Sequence, residues 1–349
     1  MSRSKITDSS LESTYPKIFT GDDEPSNPQL GDLWIDSSGF MKHRGSGYWT
    51  QVSNKASITG GTVTEVGGYK IHTFTSSGTL TIESASQSDV EILMVAGGGS
   101  GGRHSGGGGG AGGLIYYGDE TPRAAAAQTL TEGTYSVIIG AGGAGIVGSY
   151  GAYSNSRGDG SGSYGYEGSN TTFNGWTAVG GGGGGYHSDN GTAGGSSGGS
   201  SRGNGNAESA TSGQGNVGGS GTWGNSGPYP GAGGGGAGGP GQDNGQNEQD
   251  GGVGLEYSIS GTATYYAGGG GGNTQYVESQ GGGVSGWNTA GAGGLGGGGR
   301  GTYGEPGQSG HYASTAGQAN TGGGGGGEQY NLNTGHGGGS GIVIIRYPA

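Results

Sequence analysis

Six histidines, His43, His72, His104, His187, His311 and His336, are the first candidates for metal chemistry, and there is no cysteine to join them. Their spacing follows no ligand pattern, so they are expected in surface and loop roles, with no metal bound. Gly140-Ala-Gly142-Gly-Ala-Gly145 is a literal G-x-G-x-x-G behind an apolar stretch, Tyr135–Ile139. A dinucleotide site also needs a helix opening on those glycines and an acidic residue about 20 further on. Ile146–Tyr153 has neither helical periodicity nor a cap, and 101 glycines in 349 residues make chance matches inevitable. No Gly-Lys-Ser/Thr phosphate loop, Ser/His/Asp set or carboxylate pair stands out from the background. Arg157-Gly158-Asp159 sits in a glycine-rich stretch where such a triplet arises by accident, and the sequons at Asn170 and Asn190 matter only on a secretory route that nothing in the sequence supports. The expectation is a protein that is no enzyme and needs no cofactor.

What remains is recognition. Between the glycine runs lie connectors of Ser, Asn, Gln and Gly that carry most of the aromatic residues. This is the composition of antibody paratopes, where rigid aromatics supply contact area and small polar residues supply adaptable hydrogen bonds. Aromatic faces also suit sugars. The candidate receptor-binding residues are Tyr153, Tyr164, Tyr166, Tyr186, Trp223, Tyr229, Trp287 and Tyr312. The competing role for any such ring is to cover the ends and sides of a scaffold poor in side chains.

That scaffold would be the glycine runs themselves, among them Gly97–Gly99, Gly106–Gly110, Gly180–Gly185, Gly233–Gly236, Gly268–Gly272 and Gly322–Gly327. Glycine and proline together make up roughly a third of the chain, a level typical of collagen or of low-complexity disorder. Six consecutive glycines break the collagen repeat. Disorder would leave the closing segment Ile342-Val-Ile-Ile345-Arg-Tyr347 unexplained, because a slack linker needs no apolar strand at its end. Ordered polyglycine is costly in backbone entropy and buries no side chains. Its compensation must come from backbone hydrogen bonds between neighbouring segments. Polyproline II helices point their N–H and C=O groups outward, and only glycine lets such helices pack closely. Six glycines in that form would make two turns, roughly 19 Å of rod.

Two composition shifts mark a boundary between about 60 and 97. All five lysines lie at or before Lys70, and only ten glycines precede residue 97. Residues 1–24 read as a polar arm, and 25–60 as a small β attachment module. In that module Leu33, Ile35 and Phe40 suggest a hairpin, with Tyr48–Val52 as a second strand. Residues 61–349 read as a glycine-rich domain. Its β-base spans 69–139 and 341–347, and a bundle of polyglycine II rods with their loops spans 97–340. In the base, Tyr69–Phe74 and Thr79–Ile82 alternate around Ser-Ser-Gly as a hairpin would. Val90–Ala96 is more continuously apolar, interrupted only by Glu91, like a buried central strand. The fold expected is mostly β plus polyglycine II, closed by a C-terminal strand. The net charge of −12 argues against nucleic-acid partners. No apolar run long enough for a membrane span occurs, and no apolar leader opens the chain, so synthesis and assembly in the cytoplasm are expected.

The segments Phe74–Ile82, Val90–Gly99, Gly133–Gly143, Thr177–Gly185 and Gly339–Tyr347 together resemble the glycine-rich domains of tailed-phage tail fibres and adhesins. The stretch with Pro28, Gly31-Asp-Leu-Trp34 and Tyr48-Trp49 resembles short modules of phage fibre proteins. The resemblance implies a polyglycine II sandwich at the virion surface whose distal loops bind a host cell-surface protein or glycan. Residues 1–60 would then attach to other virion proteins. A homotrimer would supply the cover that their small hairpin lacks. A head or tail decoration protein without recognition is the alternative. An ice-binding bundle is disfavoured by the uneven connector lengths.

Overall fold

In the computed structural model, residues 17–349 are described except for 22, 27, 36–40, 45–48, 52–55, 147–163, 204, 222–229, 245–248, 275–289, 305–310 and 330–335. The chain is mostly β, and no helix occurs among the described residues. It divides into two units, the first containing the N-terminal residues through Ile58 and the second most of the remainder.

In the first unit β1 (Ile18–Thr20), β2 (Leu33–Ile35), β3 (Met41–Arg44) and β4 (Trp49–Gln51) form one sheet in that order. The expected hairpin is the antiparallel pair β2–β3, and β4 extends it. β1 pairs with β2 in parallel, so part of the stretch read as an arm is a strand. Asp32 fixes the entry to β2. Its buried carboxylate accepts the backbone N–H groups of Lys17 and Gln29, both at 2.7 Å, and these bonds hold its pKa below the ordinary value. Trp34 is buried and donates its indole N–H to Gly21 O at 2.7 Å.

The strands that follow are β5 (Ser57–Thr59), β6 (Thr62–Val66), β7 (Tyr69–Phe74), β8 (Gly78–Glu83), β9 (Gln87–Val95), β10 (Leu114–Tyr117), β11 (Gln128–Leu130), β12 (Gly133–Ile138), β13 (Thr171–Phe173), β14 (Trp176–Ala178), β15 (Leu255–Tyr257), β16 (Thr264–Tyr266) and β17 (Ile342–Pro348). The second unit is built on the sheet β10-β9-β17-β7-β6. Its central strand is the C-terminal one, antiparallel to β9 on one side and β7 on the other. That position explains the composition of β17, because a strand flanked on both sides and buried through Ile342–Ile345 has no polar face. The expected hairpin between Tyr69–Phe74 and Thr79–Ile82 does not form, since the neighbours of β7 are β6 and β17. Gly67 and Gly68, at φ 60° and 82°, make the tight β6–β7 turn instead. Positive φ at both central residues matches the right-handed strand twist, which favours this pairing. The core below the sheet includes Ile71, Leu93, Val95, Leu114, Tyr116, Tyr257, Ile259, Tyr266, Ile342 and Ile344.

The glycine runs leave this sheet and bond to one another through their backbones. Gly97 and Ser100 donate N–H to Ser169 and Tyr166; Gly98 and Gly101 donate to Gly339 and His336; Gly99 and Gly102 donate to Gly110 and Gly107. The same neighbour is met again every third residue, displaced by three. In the next run Gly106, Gly109 and Gly112 donate to Glu328, Gly325 and Gly322, while Gly107, Gly110 and Gly113 donate to Gly185, Gly182 and Val179. Gly108 and Ala111 complete the set with Ala232 and Gly235, this time running parallel. The backbones lie too close for side chains. A Cβ on Gly182 would stand 1.9 Å from Thr192 O, and one on Gly324 1.9 Å from Gly109 O.

Register sorts the runs by end. Ala96, Gly113, Val179, Ala267, Thr321 and Gly341 lie next to the sheet, whereas Gly102, Gly106, Gly185, Asn273, Thr302 and Glu328 meet at the far end.

Candidate functional site

The far end carries two clusters of aromatic and cationic side chains. Its first cluster sits where Arg103-His104-Ser105 turns the chain between the runs closed by the Gly102 N–H to Gly107 O bond of 2.9 Å. His104 and Ser105 take φ of 53° and 64°, and His187 takes 55°. His187 N–H donates to His104 O at 3.1 Å, which brings the imidazoles to 4.7 Å between centroids. The Tyr186 ring lies 5.5 Å from His104 and 6.3 Å from Tyr164. Arg202 donates Nη2 to His187 Nε2 at 2.5 Å and Nε to His187 O at 3.0 Å. Because a guanidinium only donates, His187 Nε2 is the acceptor and its proton is on Nδ1, 3.1 Å from Ser188 Oγ. Burial, then the charges of His187, Arg202 and Arg103, depress the His104 pKa to about 4. Burial and Arg202 depress that of His187 as well. Both imidazoles are therefore neutral at pH 7.

The second cluster is a small tyrosine clamp. Tyr303 and Tyr312 exchange backbone hydrogen bonds of 3.0 and 2.9 Å, and their rings lie 6.4 Å apart. The Arg300 guanidinium stands 5.2 Å over the Tyr312 ring. Between the clusters Glu328 is 1% exposed and accepts hydrogen bonds from Thr302 Oγ1, at 3.1 Å, and from Ser314 Oγ. Burial outweighs those bonds and raises the Glu328 pKa to about 7.

Tyr164, Tyr166, Tyr186 and Tyr312 all fall in the far half of the bundle. Tyr312 is 51% exposed, Tyr164 and Tyr166 are half-buried, and Tyr186 is only 8% exposed. Tyr186 thus packs against His104 and Tyr164 and supports the face. Tyr153, Trp223, Tyr229 and Trp287 lie outside the described residues. Residue types alone did not single out His104, His187, Arg202 or Arg300. The available signal was position, since His104 and His187 each stand just past the end of a glycine run.

Among the described residues no group of three or more His, Cys, Asp or Glu is placed to hold a metal ion. In the G-x-G-x-x-G stretch, Gly143 N–H is bonded to Gly98 O at 2.8 Å and Gly140 N–H to Thr171 Oγ1 at 2.9 Å. Those donors are spent within the bundle. No described helix is long and apolar enough to cross a membrane.

A family model for a glycine-rich domain matches residues 74–348. The chain belongs to this glycine-rich domain family. The match begins within β7 and ends with β17, so it takes in the sheet and the runs together. No curated protein matches the chain.

Proposed function

We propose that this chain is a bacteriophage fibre or adhesin protein that binds a host-surface receptor through the far end of its glycine bundle. In this reading the runs are polyglycine II rods. A helix with three residues per turn aims successive N–H groups at three neighbours in rotation, and the three-residue recurrence of donors supports that assignment. Residues 1–60 would attach to other virion proteins. The observation that carries the proposal is the pair of aromatic and cationic clusters at the end remote from the apolar core. Apolar side chains collect at the sheet, while Tyr164, Tyr186, His104, Arg202, Arg300 and Tyr312 collect at the opposite end. A spacer has no need for aromatic and cationic clusters at the end remote from its apolar core.

The test is competition. The purified full chain should bind the cells that the phage infects and should slow adsorption of whole particles. Replacing Tyr312 and Tyr164 together by Ala should cut cell binding at least tenfold while leaving the melting temperature near that of the parent. Full binding by the double variant, or no binding by the parent, would favour a decoration role instead.

A further inference from the structure

We propose that Arg300, Tyr312 and Tyr303 form a site for an acidic saccharide, one carrying a carboxylate or phosphate on its ring. This rests on the far end being the recognition face, and it specifies the ligand class. The first observation is how the cations of the second unit are sorted. After Lys70 every cationic side chain other than histidine is an arginine. Near the sheet these arginines face carboxylates: Arg346 lies 2.7 Å from Glu91 and 3.8 Å from Glu120, and Arg123 lies 3.7 Å from Asp119. Arg300 is different. It is exposed, its Nε donates to Ala313 O at 3.2 Å, and it pairs with no carboxylate among the described residues. Among the described residues its two Nη groups have no hydrogen-bond partner, and they supply the forked geometry that carboxylates and phosphates accept in pairs.

The second observation is rigidity. Arg300 N–H donates to Thr315 Oγ1 and Thr315 N–H returns to Arg300 O, both at 3.0 Å. The reciprocal bonds between Tyr303 and Tyr312 fix the other side of the site. The backbone that carries the guanidinium and the phenol rings is therefore fixed before a ligand arrives, which lowers the entropy lost on binding. An exposed tyrosine ring offers a flat face to the C–H side of a sugar, and its hydroxyl stays free to bond. A neutral sugar would use the rings alone and leave the Nη donors to water. An acidic one uses both features. The net charge of −12 opposes long anionic chains at a distance, but it is screened beyond roughly 8 Å at physiological salt, so contact with one or two acidic units is the scale that fits.

The experiment titrates the full chain with trigalacturonate, with its methyl ester and with mannose 6-phosphate, following tyrosine fluorescence or heat. We expect the carboxylated or the phosphorylated sugar to bind at least tenfold tighter than the ester, with affinity falling as NaCl rises from 50 to 500 mM. Whichever acid wins names the anion read by the fork. Arg300→Gln should erase the preference for acid over ester, Arg300→Lys should restore part of it, and Tyr312→Ala should weaken acid and ester alike. Equal binding of acid and ester, no binding of any probe, or wild-type selectivity in Arg300→Gln would overturn the proposal. Cell binding separates this from the broader reading. If Arg300→Gln adheres to host cells as the parent does, the saccharide site fails and host recognition stands. If the parent ignores cells yet binds the acid through Arg300, the site stands and host recognition fails.

Discussion

Replacing Gly324 by Ala tests whether the glycine runs are a packed skeleton. The new Cβ would lie 1.9 Å from Gly109 O, where real Cβ contacts stay above about 3.0 Å, so the two segments must part by about 1 Å. The bonds across that seam start short: Gly109 N–H to Gly325 O is 2.8 Å, and Gly270 N–H to Gly109 O is 2.9 Å. Stretching either by about 1 Å takes it beyond hydrogen-bonding range. Both lie in buried backbone, so each orphaned pair costs about 1–3 kcal/mol. Alanine recovers about 0.4–1 kcal/mol by restricting the unfolded chain. The net loss is about 2–4 kcal/mol, which in a unit of this size lowers the melting temperature by roughly 3–7 °C. Gly78→Ala is the control. Its Cβ would meet nothing closer than Phe74 at 3.7 Å, and its φ is not in the left-handed region, so it should melt with the parent or slightly above it. Differential scanning calorimetry with near-ultraviolet circular dichroism reads both. If Gly324→Ala melts within about 1 °C of the parent, close backbone packing is not what holds the runs.

Glu328 gives a pH signature. Its folded pKa of about 7 lies above the ordinary 4.5, so the folded state holds the extra proton between those values. Stability from this group is present below about pH 4.5 and is lost as pH rises through 7, a change of about 3 kcal/mol. Glu328→Gln should flatten the melting temperature between pH 5 and 8, and an unchanged slope would refute the assignment. His104 acts in the opposite sense, since its depressed pKa makes stability fall as pH drops from about 6.5 to 4. Comparing the Glu328 variant with the parent removes the His104 contribution from the difference. At the sheet, Arg346 Nη2 lies 2.7 Å from Glu91, which also accepts the Tyr116 hydroxyl at 2.5 Å. Arg346→Met strands a buried carboxylate and should cost about 3 kcal/mol in denaturant unfolding. The double variant with Glu91→Gln should recover part of that loss, and equal destabilisation in both would argue against the ion pair.

Much of the architecture was legible in the residue types. Continuous apolar stretches such as Ile92–Ala96 and Ile342–Ile345 read as buried strands in a chain with so little other apolar material. Their placement on either side of the glycine region marked it as enclosed. Pairing was less legible. Thr79–Ile82 looked like the partner of Tyr69–Phe74 because a local turn separates them, yet β7 lies beside β17, more than 260 residues away in sequence. The contact order of that pairing leaves no local trace. Nor does a run of glycines encode its neighbours, because identical residues offer identical donors at every register. The choice of Gly325 as partner for Gly109, and of parallel or antiparallel approach, follows from connector lengths and from the strands at the sheet end.

The candidate site divides along the same line. Composition alone marked the aromatic residues between the glycine runs as candidates, Tyr164, Tyr166 and Tyr312 among them, but it did not tell these from Phe173, Trp176, Tyr257 and Tyr266, which are strand residues. Only the tertiary structure sets His104 against His187, lays Arg300 over Tyr312 and buries Tyr186. The physical reason is geometric. Connectors far apart in the chain become neighbours where the segments bearing them end at the same level, and that level is fixed by a backbone hydrogen-bond register that glycine side chains cannot specify.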